Sequence, residues 1–168
     1  MLQRPRRNRK SKAIRDLIAE TSLQKNDLIY PLFLVNGGNI KTEIESMPNC
    51  YRWSIDLLLH EIDDCLKLGI NNFALFPAVE DNLKDKEATY SYHQDNFYLH
   101  AINTIKNKFP NVTLMSDVAM DPYSSDGHDG FVENGEIIND KTLPILAKMA
   151  VAQAQAGIDI IGPSDMMD

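Results

Sequence analysis

Hydrophobic positions along the chain alternate between two rhythms. Short strand-like runs occupy Leu28 to Val35, Phe73 to Pro77, Val112 to Asp117 and Ile158 to Ile161. Near-continuous apolar runs of this length suit strands buried on both faces. Between them the apolar residues adopt helical spacing. Leu57, Leu58, Ile62, Cys65, Leu66 and Leu68 share one helix that Ser54 can cap and Gly69 can end. Phe97, Leu99, Ile102 and Ile105 mark a second helix led by Asp95, and Asp140 leads a third that Gly157 terminates after Ala156. A shorter helical stretch is expected from Lys12 to Glu20. Asn134 and Gly135, set between Phe131 and Ile138, signal a small hairpin.

Strands that begin near residues 28, 72, 112 and 158 space the units by roughly 40 to 46 residues, with no accompanying sequence repeat. Alternating strands and helices imply a parallel sheet covered by helices. A doubly wound open sheet is complete within roughly 150 to 170 residues, whereas an eight-fold barrel needs about twice the units seen here. The fourth run passes into residues 162–168 with no helical pattern after it. Eight such units come to about 340 residues, inside the range of single barrels. The expected fold class is therefore α/β, the first half of a (β/α)8 barrel of about four units. Residues 1–20 are expected to form an extended basic arm and residues 21–168 the half barrel.

Composition narrows the function classes. The chain has 168 residues, 43% of them apolar, enough for one globular domain at most. No stretch approaches the ~20 apolar residues of a membrane-spanning helix, and the arginine-rich start lacks the apolar run of a secretory signal. Cys50 and Cys65 are the only cysteines, too few for a disulfide framework or a CxxC zinc site. A cytoplasmic protein in a reducing compartment is expected, without a membrane partner. Charge is unevenly placed: 17 basic residues against 24 acidic ones give −7, yet Arg4, Arg6, Arg7, Arg9, Lys10 and Lys12 all precede the first acid. The arm lacks interleaved aromatics and the acidic body would repel phosphates, so no nucleic-acid partner is expected. The arm reads either as a solvated tail or as a grip on the acidic surface of a neighbouring subunit.

In parallel α/β folds the ligand site gathers at the carboxyl ends of the strands. The third run ends in Ser116 and Asp117 and opens into a loop carrying Asp121, Asp126, His128 and Asp129; the fourth ends in Ser164, Asp165 and Asp168. Turn chemistry alone explains many such residues in a loop. The loop is not an EF-hand, because Tyr123 and Ser125 stand where ligands are needed and no glutamate closes it. His128 among carboxylates reads as a hydrogen-bond partner more readily than as a metal ligand. His60, His93 and His100 have no nucleophile in view. Nor is there a GxSxG, P-loop or GxGxxG motif, and Gly37-Gly38 opens no helix.

Three segments together resemble one family. The head from Arg4 to Lys10, the stretch from Ser116 to Gly130 and the stretch from Pro163 to Asp168 are similar to those of the porphobilinogen synthases, also called delta-aminolevulinic acid dehydratases. The resemblance runs through the whole chain. It implies a (β/α)8 barrel whose arm embraces a neighbouring subunit, usually in a homo-octamer. It also implies cytosolic tetrapyrrole synthesis, in which two molecules of 5-aminolevulinate condense to one pyrrole with loss of two waters. By the same resemblance Asp117 is an active-site aspartate and Ser164 a pocket serine. The family's zinc-dependent members carry cysteines where this chain has Ala119, Asp121 and Asp129. The resemblance is thus to the magnesium-responsive type without that zinc, with Asp121 and Asp129 facing the substrate pocket. Arg9 and Asp168 match residues that surround an outer-sphere, allosteric magnesium.

Such a condensation demands a lysine that captures the substrate ketone as an imine. In the family these lysines follow the segment that matches Pro163 to Asp168. Every lysine here falls in the arm, a loop or a helix of the expected fold, so the chain alone is expected to be catalytically silent. A half barrel is also expected to expose a raw sheet edge and to aggregate. The alternatives are a non-catalytic module that joins full-length subunits through its arm, and an open-sheet enzyme that uses the aspartate loop for metal-assisted hydrolysis.

Overall fold

A computed structural model describes residues 5–167. One sheet holds β1 (Tyr30–Val35), β2 (Lys41–Glu43), β3 (Tyr51–Trp53), β4 (Asn72–Ala78), β5 (Thr113–Val118) and β8 (Ile160–Pro163). Its order is β2-β3-β1-β4-β5-β8, and every neighbouring pair is parallel except β2 with β3. A separate hairpin joins β6 (Val132–Glu133) to β7 (Glu136–Ile137). The helices are α1 (Lys12–Leu17), α2 (Ile55–Lys67), α3 (Phe97–Lys108) and α4 (Asn139–Ala156). None of the helices among the described residues is long and apolar enough to cross a membrane.

Side-chain alternation along the strands separates the two architectures that the sequence leaves in competition. Leu32 and Leu34 of β1, Phe73 and Leu75 of β4, and Leu114 of β5 are buried together with Leu58 and Ile62 of α2 and Tyr98, Ile102 and Ile105 of α3. Val118, on the same face of β5 as Leu114, packs with Ile145, Leu146 and Met149 of α4. All three long helices therefore lie on one side of the sheet. The opposite face carries Phe33 and Phe76, register partners whose rings stack with centroids 5.5 Å apart, and it is only half-buried. A doubly wound sheet has helices on both faces; a barrel has them outside only.

The strand expectations for β1, β4, β5 and β8 hold to within two residues, and Asn134 and Gly135 both take positive φ (54° and 85°) at the tip of the β6–β7 hairpin. Strands β2 and β3 are unexpected within a stretch read as a polar connection. Each has three residues, and β2 is exposed throughout. Lys41, expected in a loop, opens β2, with its ammonium 4.4 Å from the ring centroids of both Tyr51 and Trp53.

Three helix starts also differ in detail. Ser54 stands at the N-cap of α2, but its hydroxyl accepts from the Ile40 amide and donates to Asp56 and so ties down the preceding loop. Asn96, one residue beyond Asp95, caps α3 by accepting from the Tyr98 amide. Asp140 lies inside the first turn of α4, where the helix dipole favours its charge, rather than at the cap. The helical stretch expected from Lys12 to Glu20 is present as the shorter α1, whereas the part of the arm before it, expected to be extended, coils into a 3-10 turn (Pro5–Arg9); no side chain of either element is buried.

Candidate active site

Parallel register sets the geometry of the site. Asp117 of β5 pairs with Gly162 of β8, so Ser164, just past the end of β8, comes level with the Asp117 side chain. The Ser164 hydroxyl donates to Asp117 Oδ1 at 2.6 Å. Because neighbouring residues of a strand face opposite ways, Ser116 points into the helix layer while Asp117 points to the uncovered face. The Ser116 hydroxyl donates to Gln153 Oε1 of α4 at 2.6 Å, and Gln153 Nε2 donates to the Asp117 carbonyl at 2.9 Å.

Beyond β5 the chain turns sharply. The amides of Tyr123 and Ser124 both donate to the Met120 carbonyl, and the Met120 side chain is fully buried with Tyr123. This turn is bolted to the β8 loop by Asp165, whose carboxylate accepts from the Met120 amide at 3.0 Å. Gly130 closes the loop under Thr142, which accepts from the Phe131 amide and donates to the Ile138 carbonyl. A Cβ at Gly130 would lie 2.6 Å from Ile137 Cγ2 and 2.9 Å from Thr142 Oγ1, so the position has no room for a side chain.

The result is a crown of carboxylates. Oxygens of Asp121, Asp129 and Asp165 lie within 4.8 Å of one another. Asp165 is 9% exposed, and burial first, then the charges of Asp129, Asp121 and Asp117, push its pKa up to about 6 against the opposing Met120 hydrogen bond. Asp121 is also raised, by partial desolvation and by Asp129 and Asp117, with Lys84 pulling the other way. A groove of about 670 Å³ opens beside the crown, between Val35 at the end of β1, Ala78 at the end of β4, and Arg52, Lys84 and Asp121.

Of the site residues named from the sequence, the structure brings Asp117 to Ser164 and Asp121 to Asp129. Asp126 instead faces Lys86 across the loops at 3.7 Å, and His128 is exposed outside the carboxylate group. Arg9 is exposed on the arm, its carbonyl taken by the Arg15 guanidinium, and no carboxylate pairs with it among the described residues. Asp168 lies outside the described residues. Sequence reasoning places Asp165 at a polar strand end without a role and passes over Gln153, Arg52 and Lys84. Gln153 has one legible signal: it continues the buried stripe of Ile145, Leu146 and Met149, where an apolar side chain is expected.

Parallel strands with helices on one face only, and acidic groups at the strands' carboxyl ends, define a portion of an α/β-barrel enzyme. The chain belongs to the delta-aminolevulinic acid dehydratase family, whose model matches residues 2–168. It is 51% identical to the delta-aminolevulinic acid dehydratase of Chlamydia pneumoniae over 99% of this chain and 50% of that protein. With the enzyme of Bradyrhizobium diazoefficiens it shares 44% over 98% of this chain and 47% of the relative. A solved structure of the dehydratase (porphobilinogen synthase) from Toxoplasma gondii, in complex with the reaction product porphobilinogen, superposes on all of this chain and 48% of its own. The TM-score is 0.95 and the identity 46%. The chain thus spans about half the length of the curated relatives it matches.

Proposed function

We propose that this chain supplies the Asp117–Ser164 side of a porphobilinogen synthase site, in which two molecules of 5-aminolevulinate condense to porphobilinogen with loss of two waters. The observation that carries the reading is the 2.6 Å hydrogen bond between Ser164 and Asp117 on adjacent strand ends, within a chain that superposes throughout on a product-bound relative. A carboxylate with a hydroxyl donor can accept a proton from a substrate carbon or amine and return it to a departing water. Imine capture of each ketone needs a lysine amine, and no described lysine lies within β1, β3, β4, β5 or β8. The chain alone is therefore read as inactive. Borohydride reduction in the presence of labelled 5-aminolevulinate tests this: no stable label is expected on the chain, and a labelled lysine would overturn the reading.

The donor set suits magnesium better than zinc. Asp121, Asp129 and Asp165 offer hard carboxylate oxygens, whereas Cys50 precedes β3 and Cys65 lies in α2. A magnesium ion held by the three carboxylates would supply the positive charge their crowding lacks. The second, allosteric site retains only the exposed Arg9 among the described residues. A cytoplasmic location and a homo-octamer gripped through the basic arm complete the reading; the arm's cations and exposed Leu17, with the acidic body, support such a grip.

A further inference from the structure

Strands β4 and β5 part company just beneath the site. Their last registered pair is Leu75 with Ser116, although β4 continues beside β1 to Ala78 and β5 beside β8 to Val118. Backbone groups past that point need other partners, because an unpaired buried carbonyl is costly. Two helix side chains provide them. The Tyr98 hydroxyl of α3 donates to the Leu75 carbonyl at 2.8 Å, and the Gln153 amide of α4 donates to the Asp117 carbonyl at 2.9 Å.

Gln153 is 1% exposed and follows the buried Ile145, Leu146 and Met149 along α4, and burying a primary amide there is unfavourable unless both ends are bonded. Both are, because its oxygen takes the hydroxyl of Ser116, itself 1% exposed. The amide thus holds two consecutive residues of β5 by opposite chemistry, the side chain of one and the main chain of the next. That fixes the peptide plane that follows Asp117, and with it the Cα from which the carboxyl reaches Ser164.

We propose that Gln153 is a positioning residue for the Asp117–Ser164 pair, acting through the β5 backbone and touching no ligand itself. The functional weight of the proposal rests on the reaction assigned above to Asp117 and Ser164. Its geometry can be tested in the ligand-free chain, so failure of one does not imply failure of the other.

The readout is the carbon-13 resonance of the Asp117 carboxyl, measured with and without Ser164→Ala and always against the unsubstituted chain at the same pH. That substitution should displace the resonance when Gln153 is present. With Gln153→Leu the displacement should be lost at every pH. With Gln153→Glu it should persist while the new carboxyl is protonated, since it can then still donate to the Asp117 carbonyl, and vanish reversibly once it ionises. Should the leucine variant fail to fold, Ser116→Ala serves beside the glutamate variant: it frees one end of the amide and should weaken the displacement. Because a buried charge also disturbs packing, the methyl resonances of Ile145 and Met149 are followed in the same spectra and should hold their positions in Gln153→Leu and Ser116→Ala while the displacement is lost or weakened. An undiminished displacement in Gln153→Leu, or in ionised Gln153→Glu and Ser116→Ala, overturns the proposal.

Discussion

Lys106 reaches from the last turn of α3 to Asp159 at the foot of β8, its ammonium 3.0 and 2.9 Å from the two carboxylate oxygens. The same ammonium donates to the Val112 carbonyl, and Asp159 also accepts from the Leu114 amide. One ion pair thus clips a helix end and the starts of two strands, at the end of the sheet opposite the carboxylate crown. Removing it should loosen the fold without touching the candidate chemistry. Asp159→Ala is expected to cost about 1–3 kcal/mol, the range for losing hydrogen bonds to a charged group, and Asp159→Asn less because an acceptor for Leu114 survives. Urea midpoints at fixed slope measure both.

Asp165 makes stability depend on pH in a predictable direction. Its carboxyl is raised from an ordinary value near 3.8 to about 6, so the folded chain holds a proton that the unfolded chain releases. The stabilisation is complete below about pH 4 and is lost as pH rises through about 6. Asp165→Asn, which retains an acceptor for the Met120 amide, should flatten the melting temperature between pH 4 and 6 and raise it at pH 7. If magnesium occupies the three carboxylates, its addition should move the Asp165 titration downward, as read by carbon-13 NMR.

Gly130 offers a steric test of the loop that delivers Asp129. An alanine methyl would meet Ile137, Thr142 and Met167, each at less than 3.0 Å. Gly130→Ala should destabilise the chain by about 1–3 kcal/mol, the usual cost of overpacking. It should also spread the carboxylate crown, measured as a fall of the Asp165 titration midpoint toward the ordinary range.

On the function proposed above, Asp117→Asn in a full-length protein that contains this chain should lower porphobilinogen formation by roughly 10²- to 10⁴-fold, the span associated with a positioned acid or base. Ser164→Ala removes one hydrogen bond to a charged group and should cost roughly 10- to 100-fold. Both should leave the thermal midpoint of this chain within a few degrees, since neither group is buried.

Much of this architecture was legible because its signals are local. The runs ending at Val35, Pro77, Asp117 and Ile161 are short, strongly apolar and bounded by turn residues, which favours strands, although the last is left largely exposed, and Asn134-Gly135 specifies its own turn. That Asp117 and Ser164 both stand at strand ends was legible as well, whereas the hydrogen bond between them was not. What escaped depends on tertiary neighbours. Lys41 to Glu43 form a strand only because Tyr51 to Trp53 lie alongside. The barrel-like placement of the helices, inferred from unit spacing and the absence of a helical pattern after the fourth run, rests physically on Leu32, Leu75 and Leu114 sharing a face. Asp165 and Gln153 look like ordinary polar residues until folding surrounds them, one with three more carboxyls and the other with two hydrogen-bond partners on β5.

The two borders of the sheet are chemically unlike. At one, Lys41, Thr42 and Glu43 present charge and hydroxyl to solvent; at the other, Ile160 is 41% exposed on β8, which among the described residues pairs only with β5. Charged rims discourage further strand addition, whereas bare apolar ones invite it. The border that carries Ser164 is therefore the one open to a further strand, while the border at Lys41 to Glu43 is shielded by its own charge.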